Sequence, residues 1–284
     1  VSQFHIEKTL QLLTATFVHG AYQVQRHNVP DLRPASIRGQ LRWWFDALFG
    51  DRAAEDRIFG NIKEKNGSNS DSNASKIIVR LRNLDRETGL VDFMPHKPGG
   101  VQKTALLPGS RFQLEILGRR TALPEEERAR LTKSLRAWLL LGAIGQRANR
   151  AAGSIWCDDA PRSESDFLES AGRLLGDTKL KAALLPGTYS SEHSLRHEAG
   201  DFLRKDDVEN PFGTAGNNTR KPSQLRLRAV RLDDSLRLAA LWDGRFDSFE
   251  SLRSGVAELA QARKPIGLKL EKVLPQLEPF RFGR

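Results

Sequence analysis

Apolar residues recur at Ile37, Leu41, Trp44, Phe45 and Leu48, one face of a helix, and predict a helix over Ala35–Phe49. Pro34 suits its first turn, where the missing N–H is not needed, and Ser36 offers a cap at nearly the same place. Upstream, Ile6 to Val18 reads as a strand from its β-branched and aromatic content, and a loop runs from His19 to Arg33. A short helical piece, Ala53 to Phe59, stops at Gly60. Ile77, Val79 and Leu81 alternate with Ile78, Arg80 and Arg82, which predicts a strand over Lys76–Leu84. Arg111 to Leu117 forms a third strand after the turn Pro108-Gly109-Ser110. Thr121 to Leu141 is a second long helix, with Pro124 and three glutamates at its start, and Ile155 to Cys157 begins a fourth strand. Two loops interrupt this series. One is the polar stretch Asn66–Asn73, expected to be exposed and mobile, and the other spans Asp85–Leu107.

The order strand, helix, strand, strand, helix, strand is the ferredoxin-like pattern, which RNA-recognition domains share. Their base-stacking aromatic motif is absent, so stacking on the sheet face is not the indicated mode of binding. The second half reads as helices over Ser163–Leu175, Ser190–Leu203 and Phe246–Ala262. A hairpin joins Gln224–Leu232 to Ser235–Trp242 through Asp233-Asp234. A short echo links the halves. Ile58-Phe59-Gly60, a polar loop and Ser75-Lys76-Ile77 are matched by Pro211-Phe212-Gly213, a polar loop and Ser223-Gln224-Leu225. The expectation is an α+β chain: a ferredoxin-like module over 1–160, then a second, degenerate ferredoxin-like module over 161–284.

Charge sharpens the picture. The 284 residues carry a net charge of +10, and the excess is clustered. Six basic and no acidic residues lie between Arg128 and Cys157, and five basic and no acidic ones between Asn210 and Leu232. Single-sign clusters of this kind are an electrostatic footprint for a polyanion. No apolar run reaches membrane-spanning length, and the start has no secretory pattern. Val1 in place of methionine implies a trimmed or processed start. A lone cysteine, Cys157, fits a reducing, cytoplasmic compartment.

Arg38 and Arg42 sit one turn apart with Gly39 between them, close to a helix start, an arrangement suited to a phosphate backbone. Trp43 is the aromatic residue best placed for exposure there. The segment Gly142–Ser154 supplies Gly145, Arg147, Arg150 and Gly153. It is expected to lie against the start of the Arg38 helix, so that Arg147 and Arg150 join Arg33, Arg38 and Arg42 in one cleft. Other chemistry is missing or weak. There is no phosphate-binding loop ending in Gly-Lys-Ser/Thr, no cysteine pair for zinc and no evident third ligand beside His193 and His197. No cofactor, metal or catalytic residue is expected. The alternative is a metal-independent endoribonuclease with His19 or His27 as general base.

Arg33-Pro34-Ala35-Ser36-Ile37-Arg38-Gly39-Gln40-Leu41-Arg42-Trp43-Trp44, Ile58-Phe59-Gly60 and the glycine-rich Gly142–Ser154 together resemble the RAMP superfamily of CRISPR effector proteins. More narrowly they are similar to the first RAMP subunits of type III-B (Cmr) complexes. Asp46, Ala143, Asn149 and Ala151 depart from that pattern. The resemblance implies a non-catalytic subunit that contacts CRISPR guide RNA near its 3′ end, and target RNA, through their backbones. Other RAMP subunits of the Cmr complex would be its protein partners. The RNA-binding residues it implies are Arg33, Ser36, Arg38, Gly39, Arg42, Trp43, Gly145, Arg147, Arg150 and Gly153.

Overall fold

The stripe Ile37, Leu41, Trp44, Phe45 and Leu48 folds as a helix and is buried as a unit. Each such large side chain contributes about 1.5–3 kcal/mol by leaving water. A computed structural model describes residues 4–19, 29–61, 74–97, 99–119, 123–202, 211–215 and 220–279. The first half runs β1 (His5–Leu12), α1 (Pro34–Phe49), α2 (Arg52–Phe59), β2 (Ile77–Asp85), β3 (Thr88–Asp92), β4 (Gln102–Leu106), β5 (Arg111–Gly118), α3 (Glu125–Leu141) and β6 (Ile155–Cys157). The second runs α4 (Glu164–Leu175), β7 (Leu180–Leu184), α5 (Glu192–Gly200), β8 (Thr214–Ala215), β9 (Arg220–Lys221), β10 (Leu225–Leu232), β11 (Ser235–Asp243), α6 (Phe249–Gln261) and α7 (Pro265–Val273).

The first sheet has the order β2-β5-β1-β6, antiparallel throughout, which is the ferredoxin-like arrangement. Leu10, Leu12, Leu114 and Ile116 pack beneath α1 and α3, against Ile37, Leu41, Trp44 and Trp138. The second sheet, β10-β11-β7, follows the same logic, with α5 and α6 in the places of the two crossing helices. A fourth strand does not close it among the described residues. Strand β11 is buried on both faces. Ala239 and Leu241 join the core of the first half, while Leu238, Ala240 and Trp242 face Leu252, Val256 and Leu259 of α6. On β10 the alternation puts Leu225, Leu227 and Ala229 into the second core, leaving Arg226 and Arg228 on the side of the first half. The Asp233-Asp234 turn adopts positive φ at both residues, 47° and 58°, as a two-residue hairpin requires.

The echo between the halves is geometric. Ser75 Oγ donates to Ile58 O (3.2 Å) and Ile77 O (2.9 Å), and Lys76 N donates to Ile58 O (2.9 Å). At the matching place Ser223 Oγ donates to Pro211 O (3.4 Å) and to Leu225 O, and Gln224 N donates to Pro211 O (3.0 Å). The same clasp thus opens the second strand of both sheets.

Two expectations need correction, and two elements, β7 and α7, were not anticipated from the sequence. The strand over Ile6–Val18 ends at Leu12. Beyond it the chain leaves the sheet, and Thr16 and Phe17 bridge to Leu106 and Gln146. The loop Asp85–Leu107 contains the hairpin β3–β4, with Pro95, Gly99 and Gly100 confined to its connection. Strand β7, Leu-Lys-Ala-Ala-Leu, has little intrinsic strand preference and forms because β11 pairs with it. Helix α7 opens at Pro265 with no preceding cap side chain. The stretch Asn66–Asn73 and His27 lie outside the described residues. Among the described residues no helix is long and apolar enough to cross a membrane.

Candidate nucleic-acid interface

Helix α1 begins without a side-chain cap. Arg33 is its N-cap, Pro34 follows, and no acidic residue occupies the first turn. Pro34 brings no N–H and Ser36 N donates to Arg33 O at 3.0 Å, so the Ala35 amide and the positive end of the helix dipole are what remain without a capping side chain. Arg33, Pro34, Ala35, Ser36, Arg38 and Gly39 are all exposed. Arg38 makes no ion pair with any described residue, and Arg33 has only Asp31, at 3.9 Å. Gly39 sits inside the helix, where glycine costs about 0.5–1 kcal/mol relative to alanine. A Cβ there would meet nothing within 4 Å. Internal packing therefore does not require this glycine. The helix start is low in relief, cationic and open.

Arg42 points elsewhere. Its guanidinium pairs with Glu55, reaches Asp56 at 2.8 Å and donates to Gly60 O at 3.0 Å, fastening α2 to α1. Glu55 is 2% exposed, so this cation compensates a buried charge. Trp43 is half-buried. Its ring meets Trp44 edge-on at 5.1 Å, and the guanidinium groups of Arg226 and Arg245 lie 3.8 and 5.2 Å from it. Stacking on a base is therefore not the geometry of Trp43, because a cation from β10 already covers the ring.

The glycine-rich segment is also turned inward. Gly153 has φ +67°, and a Cβ on it would lie 1.8 Å from Ile144 O; Gly145 has φ +86°, and its Cβ would lie 2.5 Å from Phe17 O. Thr14 Oγ donates to Ala151 O at 2.7 Å, and Ala151 N to Leu227 O at 3.0 Å, so the segment laces the stretch after β1 to β10. Arg150 donates to Phe212 O at 2.6 Å and to Ser223 Oγ at 3.4 Å, with Phe202 beneath it at 4.0 Å. Burial, and then the Arg147 charge, pushes its pKa down to about 9. Arg147 leans 5.9 Å over Phe93 of the β3–β4 connection. The single cleft expected for Arg33, Arg38, Arg42, Arg147 and Arg150 does not form. Their guanidinium groups go to solvent, to α2, to Phe93 and to the second half.

Sequence reasoning missed Arg226 and Arg228, although the acid-free basic run containing them was visible. Arg228 is 4% exposed and donates to Leu141 O (2.8 Å), Leu227 O (2.9 Å) and Ala148 O. Burial and the neighbouring Arg226 push its pKa down to about 9. Arg226, stacked on Trp43, has a buried Nε without a partner. Their strand alternation, Leu-Arg-Leu-Arg, was the signal for a shared facing.

A second cationic patch surrounds Phe93, whose ring lies 3.9 Å from Lys103 Nζ and packs edge-on against Phe17. His19 is beside it. Burial, and then the Lys103 charge, lowers the His19 pKa, and both ring nitrogens are enclosed without a hydrogen-bond partner among the described residues. His193 pairs with Asp92 at 3.3 Å. Asp159 pairs with Lys8, and Trp156 lies under Arg231 at 5.2 Å. No group of three metal-ligating side chains forms among the described residues.

A profile of the RAMP superfamily matches residues 9–156. The CRISPR system Cmr subunit Cmr1-1 of Pyrococcus furiosus is 30% identical over 187 residues, which cover 61% of this chain and 51% of that protein. The chain thus spans about half the length of that relative. The crystal structure of Cmr1 from Pyrococcus furiosus, apo form, superposes with a TM-score of 0.54 at 18% identity, covering 84% of this chain and 87% of that one. A chain of the type III-B Cmr-beta complex bound to cognate target RNA and AMPPnP superposes with a TM-score of 0.55 at 11% identity, covering 96% and 100%. At these identities the two structures establish a common fold.

Proposed function

The chain belongs to the RAMP superfamily, and from that premise we propose that it is a non-catalytic, RNA-binding subunit of a type III-B, RNA-guided CRISPR complex of the cytoplasm. It contacts guide RNA near the 3′ end, and target RNA, by holding phosphates rather than reading bases. Other RAMP subunits of the complex are its neighbours. The observation that carries this reading is the start of α1: a helix N-terminus without a side-chain cap, an Arg38 with no ion pair among the described residues and an open, internally unneeded Gly39. Backbone amides at a helix start favour an anion, and the absent Cβ lets a sugar-phosphate strand approach closely. Arg33 and Ser36 complete that face.

The test is retention of guide-length RNA by the isolated chain and by its Arg38→Ala and Gly39→Ala variants across a salt series. Loss in both variants, with folding intact, supports the interface. Retention equal to wild type in both removes it.

A second reading, a metal-independent endoribonuclease, has one observation in its favour: burial, and then the Lys103 charge, lowers the His19 pKa, a shift in the direction that favours the neutral ring a general base needs. Defined cleavage of repeat RNA in chelator, abolished by His19→Ala, would replace the first reading by this one.

A further inference from the structure

A cleft of about 910 Å³ lies away from the α1 face, between α3, α4 and the turn after β6. It shares no lining residue with the candidate RNA interface. Its floor is apolar: Leu139, Leu140, Leu174, Cys157 and Pro161. Small residues, Ala129 and Thr132, form the outward stripe of α3 and leave room for a second helix. The rim is cationic, from Arg128, Lys133, Arg136 and Arg173.

These charges are poorly compensated. Arg136 is exposed and makes no ion pair with any described residue, and Lys133 has only the Phe49 ring, at 5.9 Å. Arg173 is 71% exposed, with Glu169 at 4.0 Å. Two carboxylates line the cleft. Asp159 is already paired with Lys8, and Glu125, 88% exposed, lies 3.8 Å from Arg128. Arg128, Thr132 and Arg136 repeat every four residues along α3, the spacing that meets one face of another helix.

We propose that this cleft seats an acidic amphipathic helix of a neighbouring protein subunit. Its apolar side covers the leucine floor and its carboxylates meet Arg136, Lys133 and Arg173. This rests on the reading of the chain as a subunit of a larger assembly. RNA fits the cleft less well, because leucines form the floor and carboxylates interrupt the rim.

The experiment uses the complex assembled by co-expressing the chain with its other subunits. A benzophenone is attached through Ala129→Cys. The native Cys157 is buried, with its thiol pushed up to about 12, and stays unlabelled. The expected product is a crosslink to one protein neighbour within an acidic helical segment. Arg136→Glu combined with Arg173→Glu should lower incorporation into the complex at least tenfold, while RNA retention and melting of the isolated chain stay as in wild type. A crosslink to RNA, a crosslink to a basic segment, or undiminished incorporation of the charge-reversed chain would overturn the proposal. A wild-type chain that retains RNA but joins no assembly would instead overturn the subunit reading, and this docking with it.

Discussion

The start of α1 and the segment Gly142–Ser154 look alike as strings, since each sets arginines beside glycines. They differ in what the glycine's missing Cβ faces. At Gly39 it faces open space, while at Gly145 and Gly153 it faces backbone oxygens of this same chain. Their arginines differ in parallel. Arg38 is exposed and makes no ion pair with any described residue, whereas Arg150 is held by Phe212 O and Ser223. A glycine that its own fold requires is weak evidence for a ligand; one that its own fold tolerates at a cost is stronger evidence. Arg42 carries the same lesson. It is one turn from Arg38 and equally basic, yet it compensates a buried Glu55.

The largest expected effect is at Gly153. Gly153→Ala combines a positive φ with a clash against Ile144 O, and should cost roughly 3 kcal/mol or more. Urea unfolding measures it, and an unchanged midpoint would remove the distinction between the two glycine classes. Next is Arg42→Ala, which leaves Glu55 buried with only Arg52 to answer it. A loss of about 2 kcal/mol is expected, with RNA affinity per folded molecule unchanged. An Arg42→Ala chain that is fully stable but loses RNA would return Arg42 to the interface.

Arg38→Ala should behave in the opposite way. Stability stays within about 0.5 kcal/mol, RNA binding weakens equally across sequences, and the salt dependence becomes shallower by roughly one unit. Gly39→Ala gives the sharpest contrast for its size: the fold gains about 0.5–1 kcal/mol while RNA binding weakens. Gain in both properties would show that nothing approaches this face. The smallest effect concerns His19. Its lowered pKa means that the folded state prefers the neutral ring. Its contribution is therefore full above the ordinary histidine range, near pH 6.5, and is lost as pH falls below it. Thermal melting between neutral pH and about pH 5 should fall less steeply in His19→Gln than in wild type. Equal slopes would mean that burial of the ring is unimportant.

Periodicity alone determined much of this protein. The α1 stripe, the alternation of β2, the strand–helix order of the first half and the Asp233-Asp234 hairpin are local patterns, set within one turn or one pleat of the chain. The clasps of Ser75 and Ser223 were visible as an echo because the same short segments build both. Three things depended on residues far apart in sequence. Strand β7 needs β11, since Lys181, Ala182 and Ala183 carry no strand preference of their own. The β3–β4 hairpin needs Thr16 and the Asp85–Leu107 segment to meet. The division of the arginines into free and committed needs Glu55, Phe212 and Leu141, whose distances from them no spacing rule encodes. Charge type is written in the chain, but whether a charge is available is decided by which carbonyls and carboxylates the fold brings within about 3 Å of it.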